Sequence, residues 1–211
     1  MEQVAGGLGS LYIVAAPSGA GKTSLVKALV ESLDNVVVSV STTTRAARPG
    51  EIDGLDYHFV DVATFEGLIV AGSFLEHARV FDNYYGTSEE TVKSRLDRGL
   101  DVILEIDWQG ARLVRQRMPD CRSVFILPPS RQILEIRLRA RGQDGEALIA
   151  RRMRDAVSEM SHYHEFDYLI VNDDFAQALD ELQSIFTARR QETRIQRSHH
   201  RDLIECLLAD G

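Results

Sequence analysis

Cysteine is nearly absent from this chain. Among 211 residues only Cys121 and Cys206 occur, far apart and in no CxxC pattern. That argues against a disulfide framework and fits a reducing compartment, with both thiols acting as small hydrophobes. Positive charge is in deficit: 24 lysines and arginines face 32 aspartates and glutamates, a formal net charge of −8. A chain whose main partner is DNA or RNA carries the opposite balance, so no nucleic-acid partner is expected. No apolar run is long enough to span a bilayer. The first ten residues lack the basic start and apolar stretch of a signal peptide and read as a loose lead-in. These absences together predict a cytoplasmic protein with no membrane partner. Aromatics are few, but 44% of the residues are hydrophobic, enough to bury one substantial core with small inserted lobes.

What is present is an alternation of short apolar runs and helical patterns. Leu11 to Ala15 reads as a buried strand, and Thr23 to about Ser32 as a helix with Leu25, Val26 and Leu29 on one face. Further strands are expected at Val36–Val40, Val102–Asp107, Ser123–Leu127 and Tyr168–Val171. Strands alternating with helices imply an α/β fold with a parallel sheet covered on both faces. Two stretches break the alternation. Residues 41–87 are polar and rich in turn signals such as Pro49-Gly50 and Asp53-Gly54, and read as an inserted lobe. Residues 130–155 are dense in arginine and read as a mobile flap over the C-terminal edge of the sheet. The last segment, from about Asp174, reads as one long helix or two, with Arg189, Arg190 and Arg194 on a solvated face.

Between the first strand and the first helix lies Ala16-Pro17-Ser18-Gly19-Ala20-Gly21-Lys22-Thr23. Gly19 and Gly21 let the backbone turn its N–H groups around an anion, and the helix start aims its positive end at the same place. Lys22 is expected to reach the β- and γ-phosphates of a nucleoside triphosphate, and Thr23 to place its hydroxyl on Mg²⁺. The pattern usually opens with glycine, and here Ala16 stands in that position. The motif predicts triphosphate binding but does not by itself separate a kinase from a GTPase or an ATPase.

The chain resembles the guanylate kinases, especially the bacterial ones, from Leu11 to the C-terminal helix. Beside the phosphate loop, the resemblance rests on Ser39-Val40-Ser41-Thr42-Thr43-Thr44-Arg45 with Arg48-Pro49-Gly50-Glu51, on Asn83-Tyr84-Tyr85-Gly86-Thr87, on Ile106-Asp107-Trp108-Gln109-Gly110, and on Val171-Asn172-Asp173-Asp174. It implies a P-loop NTPase three-layer sandwich in three parts. Residues 1–40, 88–129 and 156–211 would form the core, 41–87 a GMP-binding lobe and 130–155 a lid. It further implies transfer of a phosphoryl group from ATP to GMP, with Mg²⁺ as cofactor. The reading leaves room for dGMP as an acceptor and for a homo-oligomer.

The residue types suit that chemistry. Guanine offers N–H donors at N1 and N2, which a carboxylate complements, whereas adenine presents an acceptor at N1. The resemblance puts Glu76 there, with Asp107 and Ser41 beside it, although spacing alone favours a solvated helix residue at position 76. Arg45 and Arg48 are expected to grip the monophosphate, with Tyr57 and Tyr85 as hydroxyl donors. Spacing alone leaves both arginines readable as surface charges, and both tyrosines as lobe core. Thr87 stands where the family has a small hydroxyl residue. Glu105 and Asp107, two apart at a strand end, are expected on one face near the metal. The family commonly has aspartate where Glu105 stands.

Arg137 and Arg141, four apart, share a helix face, and Arg152 follows on the next segment. The resemblance implies that all three close on the transferring phosphate or the adenine end, and that Asn172 lies near the adenine. Arg139, Arg151 and Arg154 have no such match and read as solvated. His162 and His164, beside Glu165 and Asp167, read as a polar helix end in preference to a metal site.

Three rival readings stay open on residues alone. Asp107 to Gly110 fits the DxxG of GTPases, but the chain holds no Asn-Lys-x-Asp to read guanine. A guanylate-kinase-like binding module would lack the loop lysine or the lid arginines, which are all here. A kinase for another monophosphate would not need Glu76 and Asp107.

Overall fold

The computed structural model describes residues 8–80, 82–140 and 146–209. The chain opens with β1 (Leu11–Ala15), α1 (Lys22–Ser32) and β2 (Val36–Val38). A second group follows: β3 (Thr42–Thr43), β4 (His58–Phe59), α2 (Val62–Val70), β5 (Phe74–Val80) and β6 (Asn83–Ser88). The pattern then returns to α3 (Glu89–Asp97), β7 (Asp101–Leu104), α4 (Trp108–Arg117), β8 (Arg122–Leu127), α5 (Arg131–Ala140), α6 (Glu146–Met160), a single 3-10 turn (Tyr163–Glu165) and β9 (Tyr168–Val171). It ends in α7 (Phe175–Arg190), α8 (Thr193–His199) and α9 (Arg201–Leu208).

Five strands form one parallel sheet in the order β2-β7-β1-β8-β9. β1 is wholly buried at its centre, which is why it reads as an unbroken apolar run. The period of two splits its side chains between two cores. Tyr12 and Val14 face α1 and α7 with Leu25, Leu29, Leu182 and Phe186. Leu11 and Ile13 face α3 and α4 with Val92, Leu96, Ala111 and Val114. The result is a three-layer α/β sandwich. The chain order reverses on either side of β1, so the crevice at the C-terminal end of β1 is where such sheets bind ligands.

The residues between β2 and α3 form a second sheet in the order β4-β3-β6-β5, with β3 and β4 parallel and the other pairs antiparallel. Its inner face packs Phe65, Phe74 and Tyr84 as stacked rings. Among the described residues, no helix is long and apolar enough to cross a membrane.

Three expectations are corrected here. The strand expected to reach Asp107 stops at Leu104, because Asp107 instead starts α4 as its N-cap. The C-terminal segment is three helices, broken where Gln191 and His200 leave the ladder. Arg189 is not on a solvated face but only 4% exposed. Its guanidinium is taken up by Glu192 and by the Asp120 carbonyl.

Candidate active site

The phosphate loop joins β1 to α1. Gly19 (φ 94°) and Gly21 (φ 98°) both hold left-handed backbone, where a side chain is strained. The loop closes on itself through the Ala20 N–H, which donates to the Pro17 carbonyl at 3.1 Å. It bounds a cleft of about 320 Å³ lined by loop residues 16–19 and 21–24, by Glu105, Ile106 and Asp107, and by Glu159. Lys22 is half-buried in this cleft. Burial holds its ammonium below the ordinary lysine range, opposed by the negative charges of Glu105, Glu159 and Asp107. Thr23, one residue on, is exposed to the cleft.

Two elements brace the loop from behind. The Asn172 side chain is buried, and its Nδ2 donates to the Ala20 carbonyl at 2.7 Å. A Cβ on Gly21 would lie 2.2 Å from that nitrogen, so glycine at 21 serves the bracing as well as the turn. α5 supplies Leu134 and Leu138, which lie within 3.4 Å of where a Cβ on Gly19 would stand. Arg137 of α5 rests its guanidinium on the Asn172 carbonyl at 3.2 Å and the Ala20 carbonyl at 3.5 Å. Thus Arg137 and Asn172 both meet the loop's backbone. Arg152 is half-buried on α6, and Arg141 lies outside the described residues. Arg139 is exposed, as expected, and there bonds Glu135 on its own helix and Glu146 at the start of α6, tying the two helices together.

Across the cleft, Glu76 stands on β5, next to an irregularity in its pairing with β6. It is buried, at 5% exposure. Thr87 Oγ1 donates to Glu76 Oε1 at 2.6 Å. Burial, with a smaller push from Asp107 and against the pull of Thr87, raises the Glu76 carboxyl to about 7. α4 is fitted against this group. Asp107 Oδ1 accepts the Gly110 N–H at 2.8 Å, and a Cβ on Gly110 would come 3.1 Å from Glu76 Oε2. The Asp-Trp-Gln-Gly run therefore combines a helix cap with a flat surface for a carboxylate.

The remaining expected residues gather around Arg45. Its guanidinium donates to Glu51 Oε1 at 2.8 Å and lies 5.3 Å from the centre of the Tyr57 ring. Tyr57 meets Tyr85 edge to face at 6.0 Å, and the Tyr85 hydroxyl is bonded to Arg45. Arg48 is exposed, and its backbone N–H donates to Glu51 Oε2 at 2.7 Å. Ser41 leads into β3, with its carbonyl accepting the His58 N–H at 2.9 Å. Glu105 links the two halves electrostatically: its charge acts on both Lys22 and Tyr57.

His162 stacks on Trp108 with 3.7 Å between ring centres and bonds Glu165 at 2.7 Å. Asp167 is engaged with Ser123. Among the described residues, no three His, Cys, Asp or Glu side chains converge as metal ligands.

Sequence reasoning missed Glu159 at the phosphate loop, and it did not give Glu51 its place under both arginines. The spacing Arg-x-x-Arg-x-x-Glu carries a signal for Glu51, since a turn at Pro49-Gly50 returns position 51 to position 45. Glu159 has none, because it meets Ser18 from 141 residues further along the chain.

A parallel sheet whose buried central strand runs into a glycine-shaped anion loop, with lysine at the first helical residue, defines a P-loop nucleotide-binding protein. Comparison narrows the class. The family model described as guanylate kinase matches residues 9–189. A guanylate kinase of Chromohalobacter salexigens is 61% identical, over 95% of this chain and 94% of its own length. One from Alkalilimnicola ehrlichii is 65% identical, over 86% of this chain and 90% of its own. The crystal structure of guanylate kinase from Anaplasma phagocytophilum superposes with a TM-score of 0.75 at 36% identity, covering 96% of this chain and 97% of that one. The chain belongs to the guanylate kinase family.

Proposed function

We propose that this enzyme transfers the terminal phosphoryl group of ATP to GMP, giving ADP and GDP, through the residues gathered above. One observation carries the reading: Glu105 and Asp107 line the phosphate-loop cleft, and their charges act on Tyr57 and Glu76 of the lobe. Donor and acceptor sites close enough to share the field of these two carboxylates suit direct transfer between two bound nucleotides.

In this scheme residues 16–23 hold the ATP phosphates, Lys22 neutralises the β- and γ-groups, and Asn172 keeps the loop in shape beneath them. Glu76, with Thr87, Asp107 and Ser41, takes the guanine edge. Arg45, Arg48, Tyr57 and Tyr85 take its phosphate. Glu51 holds Arg45 in place until that phosphate arrives. The attacking atom is already an anionic phosphate oxygen, so no general base is required. The new P–O bond forms as the bond to the β–γ bridging oxygen breaks, and ADP leaves with that electron pair. Arg137, Arg141 and Arg152 supply positive charge as residues 130–155 close over the site and exclude water. The donor set at the loop, the Thr23 hydroxyl with the Glu105 and Asp107 carboxylates lining the same cleft, offers hard oxygens that fit Mg²⁺ held partly through water. When bound, Mg²⁺ neutralises phosphate charge during transfer.

The test is ADP release from ATP and Mg²⁺ with GMP, dGMP, AMP, UMP, CMP or no acceptor. Release confined to the guanine nucleotides is expected. Equal release with AMP would remove Glu76 from the base contact, and release without acceptor would make the protein a hydrolase.

A further inference from the structure

Glu159 is left without a role by the scheme above. It stands near the end of α6, yet its carboxylate lines the phosphate-loop cleft. It accepts a hydrogen bond from the Ser18 backbone N–H and interacts with the Lys22 ammonium. A phosphate-loop N–H and the loop lysine are the partners a bound phosphate group takes. A carboxylate bonded to that N–H and drawn by that lysine's charge lies in the cleft a phosphate group would enter.

We propose that Glu159 is the loop's resident anion in the nucleotide-free enzyme, and that a bound triphosphate displaces it and so releases the end of α6 from the loop. The proposal rests on residues 16–23 being the ATP site. It gives nucleotide arrival a direct mechanical effect on the helix that carries Arg152. The placeholder is also weakly held. Burial chiefly, then Asp107 and to a lesser degree Asp155 on its own helix, raise the Glu159 carboxyl to about 7 against the pull of Lys22 and the Ser18 N–H. Glu105 adds a further negative charge acting on Lys22, and Arg137 of α5 meets the loop at the Ala20 carbonyl. A triphosphate carries several charges onto the same donors and outcompetes a single strained carboxylate.

The sign of the linked protonation follows. Displaced into water, Glu159 regains ordinary carboxylate acidity, so ATP binding releases the proton it held. At pH 6.5 the loss amounts to roughly three-quarters of a proton. The experiment is calorimetric titration of the full-length protein with MgATP, without GMP, in two buffers of different ionisation enthalpy. Wild type is compared with Glu159→Gln, so that the ionisation of ATP itself cancels. Two results are expected together. Wild type releases more protons than the variant at pH 6.5, and at pH 8 the variant binds ATP about fivefold tighter, one negative charge having been removed from beside the phosphates. Equal proton counts, unchanged or weaker ATP binding, or greater proton uptake by wild type would each overturn the proposal. Uptake would mean that the carboxylate stays against the phosphates. If Glu159→Gln does not fold, judged by its melting curve, Glu159→Ala carries the same comparison. Lys22→Ala separates the two levels of inference. ATP binding unaffected by Lys22→Ala would refute the loop assignment. Weakened binding there, with no effect at Glu159, would remove only the placeholder.

Discussion

Replacing Thr87 with valine removes one hydroxyl from the buried surroundings of Glu76 and little else, since the two side chains have nearly the same shape. The hydroxyl donates to Glu76 Oε1 at 2.6 Å, and both residues are buried. A hydrogen bond to a charged acceptor contributes about 1.5–3 kcal/mol, so its loss lowers the ionisation constant of the carboxyl roughly ten- to hundredfold. The wild-type carboxyl ionises at about 7, and at pH 7.5 roughly three-quarters of it is charged. In Thr87→Val a fifth or less would be charged at that pH. Only the carboxylate can accept from both guanine N–H groups, so kcat/KM for GMP should fall at least about fourfold at pH 7.5. The deficit should narrow to about twofold or less by pH 9, where wild type is fully ionised and at least about half of the variant is. KM for ATP should not follow. The assay is a coupled ADP measurement from pH 6 to 9 with GMP varied, and Thr87→Ser, which keeps the hydroxyl, as the control. A loss of the same size at every pH would refute the argument, because it would show that Thr87 acts through shape instead of through the ionisation of Glu76.

Two further changes read other parts of the site. Glu76→Gln should weaken GMP selection yet stabilise the fold above neutrality. The folded carboxyl ionises at about 7 against an ordinary 4.5, so the folded state binds its proton more tightly. Wild type therefore loses roughly 3 kcal/mol of stability from this group as pH rises through that interval. The variant lacks that slope, and parallel urea-unfolding stabilities for the two proteins between pH 5 and 8 would contradict the burial argument. Gly21→Ala imposes a left-handed alanine, about 1–2 kcal/mol, and drives Asn172 off the Ala20 carbonyl, about 1–3 kcal/mol more. For a chain of this size the melting temperature should drop by roughly 4–20 °C. Adding Asn172→Ala should cost less than it does alone. Fully additive effects would mean that the two residues do not meet.

The elements that sequence made legible are those where a local pattern and the final environment agree. β1 and β8 are short, largely apolar runs inside a parallel sheet, and the loop's glycines mark backbone that only glycine adopts freely. Glu76 was readable only through family resemblance. A buried carboxylate violates the apolar pattern of its own strand, so spacing around position 76 suggests a solvated helix. Arg189 misleads for a similar reason. Its neighbours on α7 look solvated, while its partners, Glu192 and the Asp120 carbonyl, lie beyond the helix end and on another segment. Glu159 was illegible because its partners belong to a distant part of the chain. The end of β7 was overextended because Asp107 continues an alternating pattern that the backbone abandons in order to cap α4.

That cap limits how the enzyme could change its base preference by mutation. Asp107 holds the first turn of α4 through the Gly110 N–H while standing next to Glu76. The residues able to cap a helix start as well as aspartate are asparagine and serine, with threonine close behind. All three are uncharged. Any single substitution at 107 that spares the helix therefore removes a negative charge beside Glu76, making that carboxylate easier to ionise. Such a change therefore gives up one proposed guanine contact while it favours ionisation of the other, so position 107 alone does not discard the carboxylate at 76.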